Sequence, residues 1–148
     1  MSTKITYIIK DLLDNMGFLD AEIEEQEVEG RVKAEIRLKD ARDLIGERGA
    51  ILPLFQHIVR RIVARHIAPS PMLDIDINNY KKMREDVLRD FARDVGSKVR
   101  AERKVMELDP MPSFDRRVVH LTLADFSDLT TESMGEGDRR YIVVRPYP

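Results

Sequence analysis

Two clusters of residues in this 148-residue sequence have types and spacings that could act on a ligand. The first is Gly46-Glu47-Arg48-Gly49, a pair of glycines three apart inside an otherwise apolar run from Leu44 to Leu52. A short glycine turn ahead of a helix suits an anion, because its backbone N–H groups are open to close approach and the helix dipole favours negative charge. The second is Arg116 and His120 within "PSFDRRVVHLTL", four apart and so on one face of a helix. Arginine brings a permanent charged fork and histidine a donor of tunable charge, a combination that suits phosphate contacts. Each feature also has a plain structural explanation: a turn between helices, and an exposed Arg beside a half-buried His.

The patterns that would signal chemistry are missing. Gly-x-x-Gly is too short for a P-loop, no Gly-Lys-Ser/Thr follows it, and the third glycine of a dinucleotide fingerprint is absent. His57, His66 and His120 fall on different elements or faces, with neither a paired acid–base constellation nor metal-ligand spacing. No catalytic residue, metal or cofactor is therefore expected. A nuclease using Asp115 as general base is the alternative these spacings favour least.

The elements around the clusters can be read from periodicity. Ile5, Ile8, Ile9, Leu12, Leu13 and Met16 repeat at 3.6 residues, with Ser2 or Thr3 as cap and Gly17 as stop. Residues 21–28 are acidic and extended, Glu29-Gly30 is a tight turn, and Val32, Ala34, Ile36 and Leu38 alternate with polar residues, which predicts a hairpin with one buried face. A short helix from Ala41 to Ile45 leads into the glycine turn. A second helix follows with an apolar stripe of Ile51, Leu54, Phe55, Ile58, Ile62 and Val63, and Pro53 in its first turn. Leu73, Ile75 and Ile77 alternate as a further strand. A long helix from about Tyr80 to Arg103 is expected to bury Met83, Val87, Leu88, Phe91, Val95 and Val99, with Gly96 as its weak point. "VMELDP" predicts a short strand, Pro112-Ser113 the start of a helix through Ala124, and 129–134 with 139–145 a hairpin around "GEGD".

Composition sets bounds. A hydrophobic fraction of 43% supports a core, and the absence of cysteine excludes disulfides and thiolate chemistry and fits a reducing cytoplasm. "MSTKITYIIKDLL" reads as an amphipathic helix and not a signal peptide, and no apolar run nears the roughly 20 residues of a membrane span. A cytoplasmic protein with no membrane partner is expected. Net charge is −2, yet residues 46–66 carry 4 basic and 1 acidic side chains and residues 81–104 carry 9 and 5. The first of these basic segments begins at the glycine turn, and local fields matter more than the total when a partner docks on one face.

A Gly-x-x-Gly turn between two helices, in an α-β-β-α-α-β order, is the arrangement of the bacterial-type (type II) KH fold, which clamps a single-stranded backbone. The fold class expected is α+β, a KH-like domain over 1–79 followed by a small α+β domain over 80–148. Gly46 and Gly49 would admit the strand and Arg48 supply charge, while Glu47 opposes phosphate. Ile45, Ile51 and Leu52 would floor the bases, and Arg60, Arg61 and Arg65 would extend a basic track.

Over nearly its whole length the chain also resembles the Jag proteins of bacteria. The resemblance lies in "DLLDNMGF", "ARDLIGERGAILPLFQHIVRRIV", "LDIDINNYKKMREDVL", "MELDPMPSFDRRVVHLTLADF" and "TESMGEGDRRYIVV". It implies a KH-like domain paired with an Arg-x-x-x-His (R-three-H) domain, without the additional N-terminal domain that many relatives carry. It further implies Gly46, Glu47, Arg48 and Gly49 as the clamp, Arg116 and His120 as the signature pair, and Arg139 and Arg140 on the neighbouring hairpin. The expected function is non-catalytic binding of single-stranded RNA, or DNA. The alternative is a protein-interaction module, pairing with another KH-domain protein or with itself, in which nucleic-acid binding is weak or lost.

Overall fold

The computed structural model describes residues 3–147. Ser2, one of the two expected caps of the first helix, lies outside the described residues, as does the side chain of Thr3, the other. The chain forms two compact units, Met1–Lys81 and Lys82–Pro148.

The first unit runs α1 (Thr3–Asn15), β1 (Glu22–Val28), β2 (Arg31–Arg37), α2 (Arg42–Ile45), a 3-10 turn (Glu47–Gly49), α3 (Leu52–His66) and β3 (Met72–Ile77). Its sheet has the order β1-β2-β3, antiparallel and then parallel. Val28 pairs directly with Arg31, so Glu29-Gly30 is a two-residue hairpin loop, with both residues at positive φ as that loop requires. One sheet face carries Val32, Ala34, Ile36, Leu73, Ile75 and Ile77, all buried, and α1 and α3 cover it with Ile5, Ile9, Leu13, Phe55, Val59 and Val63.

The second unit takes most of α4 (Tyr80–Glu102), then β4 (Met106–Glu107), α5 (Ser113–Leu123), β5 (Leu129–Met134), a 3-10 turn (Gly137–Arg139) and β6 (Tyr141–Pro146). Its sheet order is β4-β6-β5, antiparallel throughout. Leu88, Ala92, Val95 and Val99 of α4 meet Val118, Val119 and Leu123 of α5 and Ile142 and Val144 of β6 in a separate core. No helix among the described residues is long and apolar enough to cross a membrane.

Two helix faces differ from those expected. In α3 the core stripe is Leu52, Phe55, Val59 and Val63, while Leu54 and Ile58 are more than half exposed and Ile51 is exposed as well. In α4 the buried stripe is Leu88, Ala92, Val95, Gly96 and Val99, and Met83, Val87 and Phe91 face outward. Both helices carry two adjacent apolar stripes, and only one stripe of each packs into the core of its unit. Gly96 is thereby not a weak point but a packing device: a Cβ there would lie 2.9 Å from Leu123 Cδ2.

Candidate nucleic-acid interface

In the first unit the turn between α2 and α3 is tightly built. Gly46 N–H donates to Arg42 O at 2.8 Å and closes α2. Gly49 N–H returns to Gly46 O at 3.1 Å, and Ile51 N–H to Ile45 O at 2.8 Å. Gly46 and Gly49 sit at φ 77° and 75°, and Arg48 between them at φ 54°. A Cβ on Gly46 would meet Ile51 Cγ1 at 2.4 Å, and one on Gly49 would meet the Tyr80 ring at 2.6 Å. Both glycines are thus demanded by internal packing and by backbone conformation, whatever the turn binds. Glu47 and Arg48 are both exposed on its tip.

Tyr80 is set against this turn by a built junction. Asn78 and Asn79 are both left-handed, and the Asn78 side chain makes two hydrogen bonds to the Leu38 backbone, accepting from N–H and donating to C=O at 2.9 Å each. Asp76 is buried, and its carboxylate accepts the backbone N–H groups of Ile77 and Lys81, capping the start of α4 from outside the helix. Burial pushes the Asp76 carboxyl above its ordinary value, and the N–H donors oppose that shift without cancelling it. Beside the turn lies an open cleft of about 610 Å³ lined by Lys39, Arg42, Ile45, Gly46, Asn78 and Tyr80. At its rim Arg42 grips Asp40 with two hydrogen bonds, which hold the Asp40 carboxyl down at about 2.

The residues expected beyond the turn separate. Leu52, expected in a base floor, is 2% exposed and belongs to the core, whereas Ile51 is exposed and Ile45 half-buried. Arg60 Nε donates to the Leu73 carbonyl at 2.6 Å and ties α3 to β3. Arg61 and Arg65, four apart, share an exposed face of α3 with Leu54 and Ile58.

In the second unit α5 presents Arg116 and His120 toward β5. Arg116 Nη1 donates to Ser133 Oγ at 3.4 Å, and Arg140 Nε donates to the same hydroxyl at 2.8 Å. Arg140 Nη1 also reaches the Gly135 carbonyl at 3.3 Å. His120 Nδ1 is hydrogen-bonded to Thr131 Oγ1, which leaves Nε2 as the ring's outward nitrogen. Thr131 and Ser133 are two apart on β5, so their side chains share one face of the strand. Three of the expected residues, Arg116, His120 and Arg140, therefore gather on a Thr-x-Ser step that sequence reasoning missed; the only signal for it was alternation of hydroxyls on an exposed strand. Arg139 is exposed, with no side-chain partner among the described residues. The Arg116 Nε is buried and unpaired among the described residues, so this guanidinium is partly desolvated, a condition that strengthens its attraction for an anion.

Asp115 points the other way. It is 1% exposed and receives Arg84 Nη2 at 2.6 Å, so it is a buried strut between α4 and α5 and not an accessible base. Two cationic forks, an imidazole edge and two hydroxyls on an open face can hold a phosphodiester oxygen.

Known proteins resemble the chain throughout. It is 26% identical over 145 residues to the RNA-binding protein KhpB of Clostridium symbiosum, covering 97% of this chain and 65% of that protein. It is 31% identical over 121 residues to the RNA-binding protein KhpB of Bacillus subtilis, covering 80% and 58%. With that of Lactiplantibacillus plantarum it shares 33% identity over 101 residues, covering 68% and 31%. The chain thus spans less than two thirds of the length of each of these relatives. Residues 86–146, the segment that holds Arg116, His120, Ser133 and Arg140, match the R-three-H domain family.

Proposed function

We propose that the chain binds single-stranded RNA without altering it, and that the phosphate backbone lies against Arg116, His120 and Arg140. The observation that carries this reading is the convergence of the two guanidinium groups on the Ser133 hydroxyl beside the His120 ring. Guanidinium forks pre-set in this way lose little side-chain freedom when a phosphate arrives. The similarity to RNA-binding proteins and the R-three-H match over this segment support the polymer class.

The first unit is read as a KH-like domain, with Gly46, Glu47, Arg48 and Gly49 as a second backbone contact and Arg61 and Arg65 as flanking charge. Its α-β-β-α-α-β order and the turn between α2 and α3 support that reading. Glu47 at the tip makes this the weaker of the two contacts. Arg60, already spent on Leu73, contributes packing more than charge.

The test is the salt dependence of binding to a labelled single-stranded RNA of mixed sequence. Affinity should fall linearly on logarithmic axes with added salt, and R116A with H120A should lower both affinity and slope. Binding that ignores salt would refute the reading.

A second reading, docking of another protein on the first unit, is favoured by one observation: Leu54, Ile58 and Tyr7 are large, apolar or aromatic, and more than half exposed. An apolar interface there would be insensitive to salt.

A further inference from the structure

We infer that the groove between α4 and α5 is a nucleobase site, taking one base of the RNA strand whose phosphates lie on Arg116 and His120. The inference rests on the proposed function and deepens it. The groove has a volume of about 220 Å³ and is lined by Phe114, Arg117, Val118 and Leu121 from α5 and by Arg89 and Arg93 from α4. That is below the roughly 300 Å³ at which drug-sized ligand pockets begin. It suits a single planar ring system.

Three observations select a base over other occupants. Phe114 is an aromatic ring at the groove, 38% exposed, in a chain with only 5 Phe, 4 Tyr and no Trp. A partly exposed ring offers a stacking face, and base stacking on aromatics is tolerant of sequence.

Charge is the second observation. Arg89, Arg93 and Arg117 face the groove against Glu85 and Asp125. Arg89 is held by Glu85 and Asp86, and Arg93 by Asp90. Arg117 has no ion-pair partner among the described residues. The three arginines of the lining thus outnumber its two carboxylates, and Arg117, outside any ion pair among the described residues, is the charge available to a nucleotide's phosphate.

The third is continuity. At about 100° per residue, the exposed surface of α5 passes in order through Arg116, His120, Arg117, Leu121 and Phe114, in steps of roughly 20–60°. Arg117 is thus the cationic step between the phosphate cluster and the groove. A strand held at Arg116 and His120 reaches Phe114 by crossing the helix there, about 160° round from Arg116, so the base in the groove lies a few nucleotides beyond the held phosphates.

The test uses the full chain with Phe114→Trp, which introduces the sole tryptophan. Binding is followed by anisotropy of a labelled RNA and, in parallel, by the tryptophan emission, using a mixed-sequence ribo-oligomer and an abasic oligomer of equal length. The expected result is quenching by roughly half with the ribo-oligomer and little with the abasic chain, together with F114L binding the ribo-oligomer roughly five- to tenfold more weakly than wild type. If F114W does not fold, L121W on the exposed lip reads the same groove. Tight binding without quenching overturns the base site and leaves the phosphate cluster intact. Equal quenching by the abasic chain assigns the groove to phosphate and overturns it too. Failure of the wild type to bind either oligomer removes the proposed function, and this inference with it.

Discussion

Arg116 and Arg140 donate to one and the same oxygen, the Ser133 hydroxyl, at 3.4 and 2.8 Å, from a helix and from the residue that links the 3-10 turn to β6. A hydroxyl has two acceptor lone pairs, so both guanidinium groups can be anchored at once while their outer N–H groups stay turned to solvent. Ser133→Ala should leave folding stability within about 1 kcal/mol, because this bond pair is exposed, yet weaken RNA binding severalfold by freeing both side chains. Anisotropy and urea denaturation on the same variant check this. Unchanged affinity would show that the anchoring is irrelevant to binding.

The Arg84–Asp115 pair behaves differently, because Asp115 is buried. Arg84→Ala leaves that carboxylate without its charged partner and should cost roughly 3–5 kcal/mol. Replacing both residues together, R84M with D115L, should recover most of the loss. Urea midpoints for the single and double variants decide; a loss below about 1 kcal/mol for R84A would deny Asp115 its role as a strut.

At Gly49 packing and conformation act together. Gly49→Ala puts a Cβ 2.6 Å from the Tyr80 ring at φ 75°, and should destabilise the chain by roughly 1–3 kcal/mol. The same change combined with Y80A should recover the steric part only, since the backbone conformation is untouched. Full recovery in thermal melts would mean that φ carries no cost.

Stability should also carry the signature of Asp76. Its carboxyl lies above the ordinary value in the folded chain, burial being the main cause, with Glu35 adding to the shift and Lys81 opposing it. Between the unfolded and folded values the native state holds more protons than the unfolded one, so this group's contribution falls as pH rises through that window and is constant above it. Asp76→Asn, which can still accept an N–H bond from the start of α4, should abolish that fall. Subtracting the variant's stability-versus-pH curve from the wild type's isolates it. A flat difference would contradict the assignment.

Much of this was legible in the residues themselves. Alternation at Val32, Ala34 and Ile36 marked β2, and the four-residue spacing of Arg116 and His120 placed them on one helix face. What was not legible depended on partners distant in sequence. The face α3 buries is decided by the sheet, which took Val59 and left Ile58 and Leu54 outside. In α4, Ala92 and Gly96 line the core, and small residues give a weak periodic signal compared with Met83 or Phe91. Arg60 looked like part of a cationic track, but its fork ends on a β3 carbonyl. Thr131 and Ser133 became part of the candidate site only through the packing of β5 beside α5.

The most direct test is an NMR titration of the isotopically labelled chain with unlabelled single-stranded RNA, read at the backbone amides. The largest shifts should fall at 116–121, 131–133 and 139–140, with smaller ones at 46–49, and all should shrink as salt is added. Shifts confined to the exposed α3 residues Leu54 and Ile58, or none at low salt, would contradict RNA binding at the Arg116–His120–Arg140 cluster.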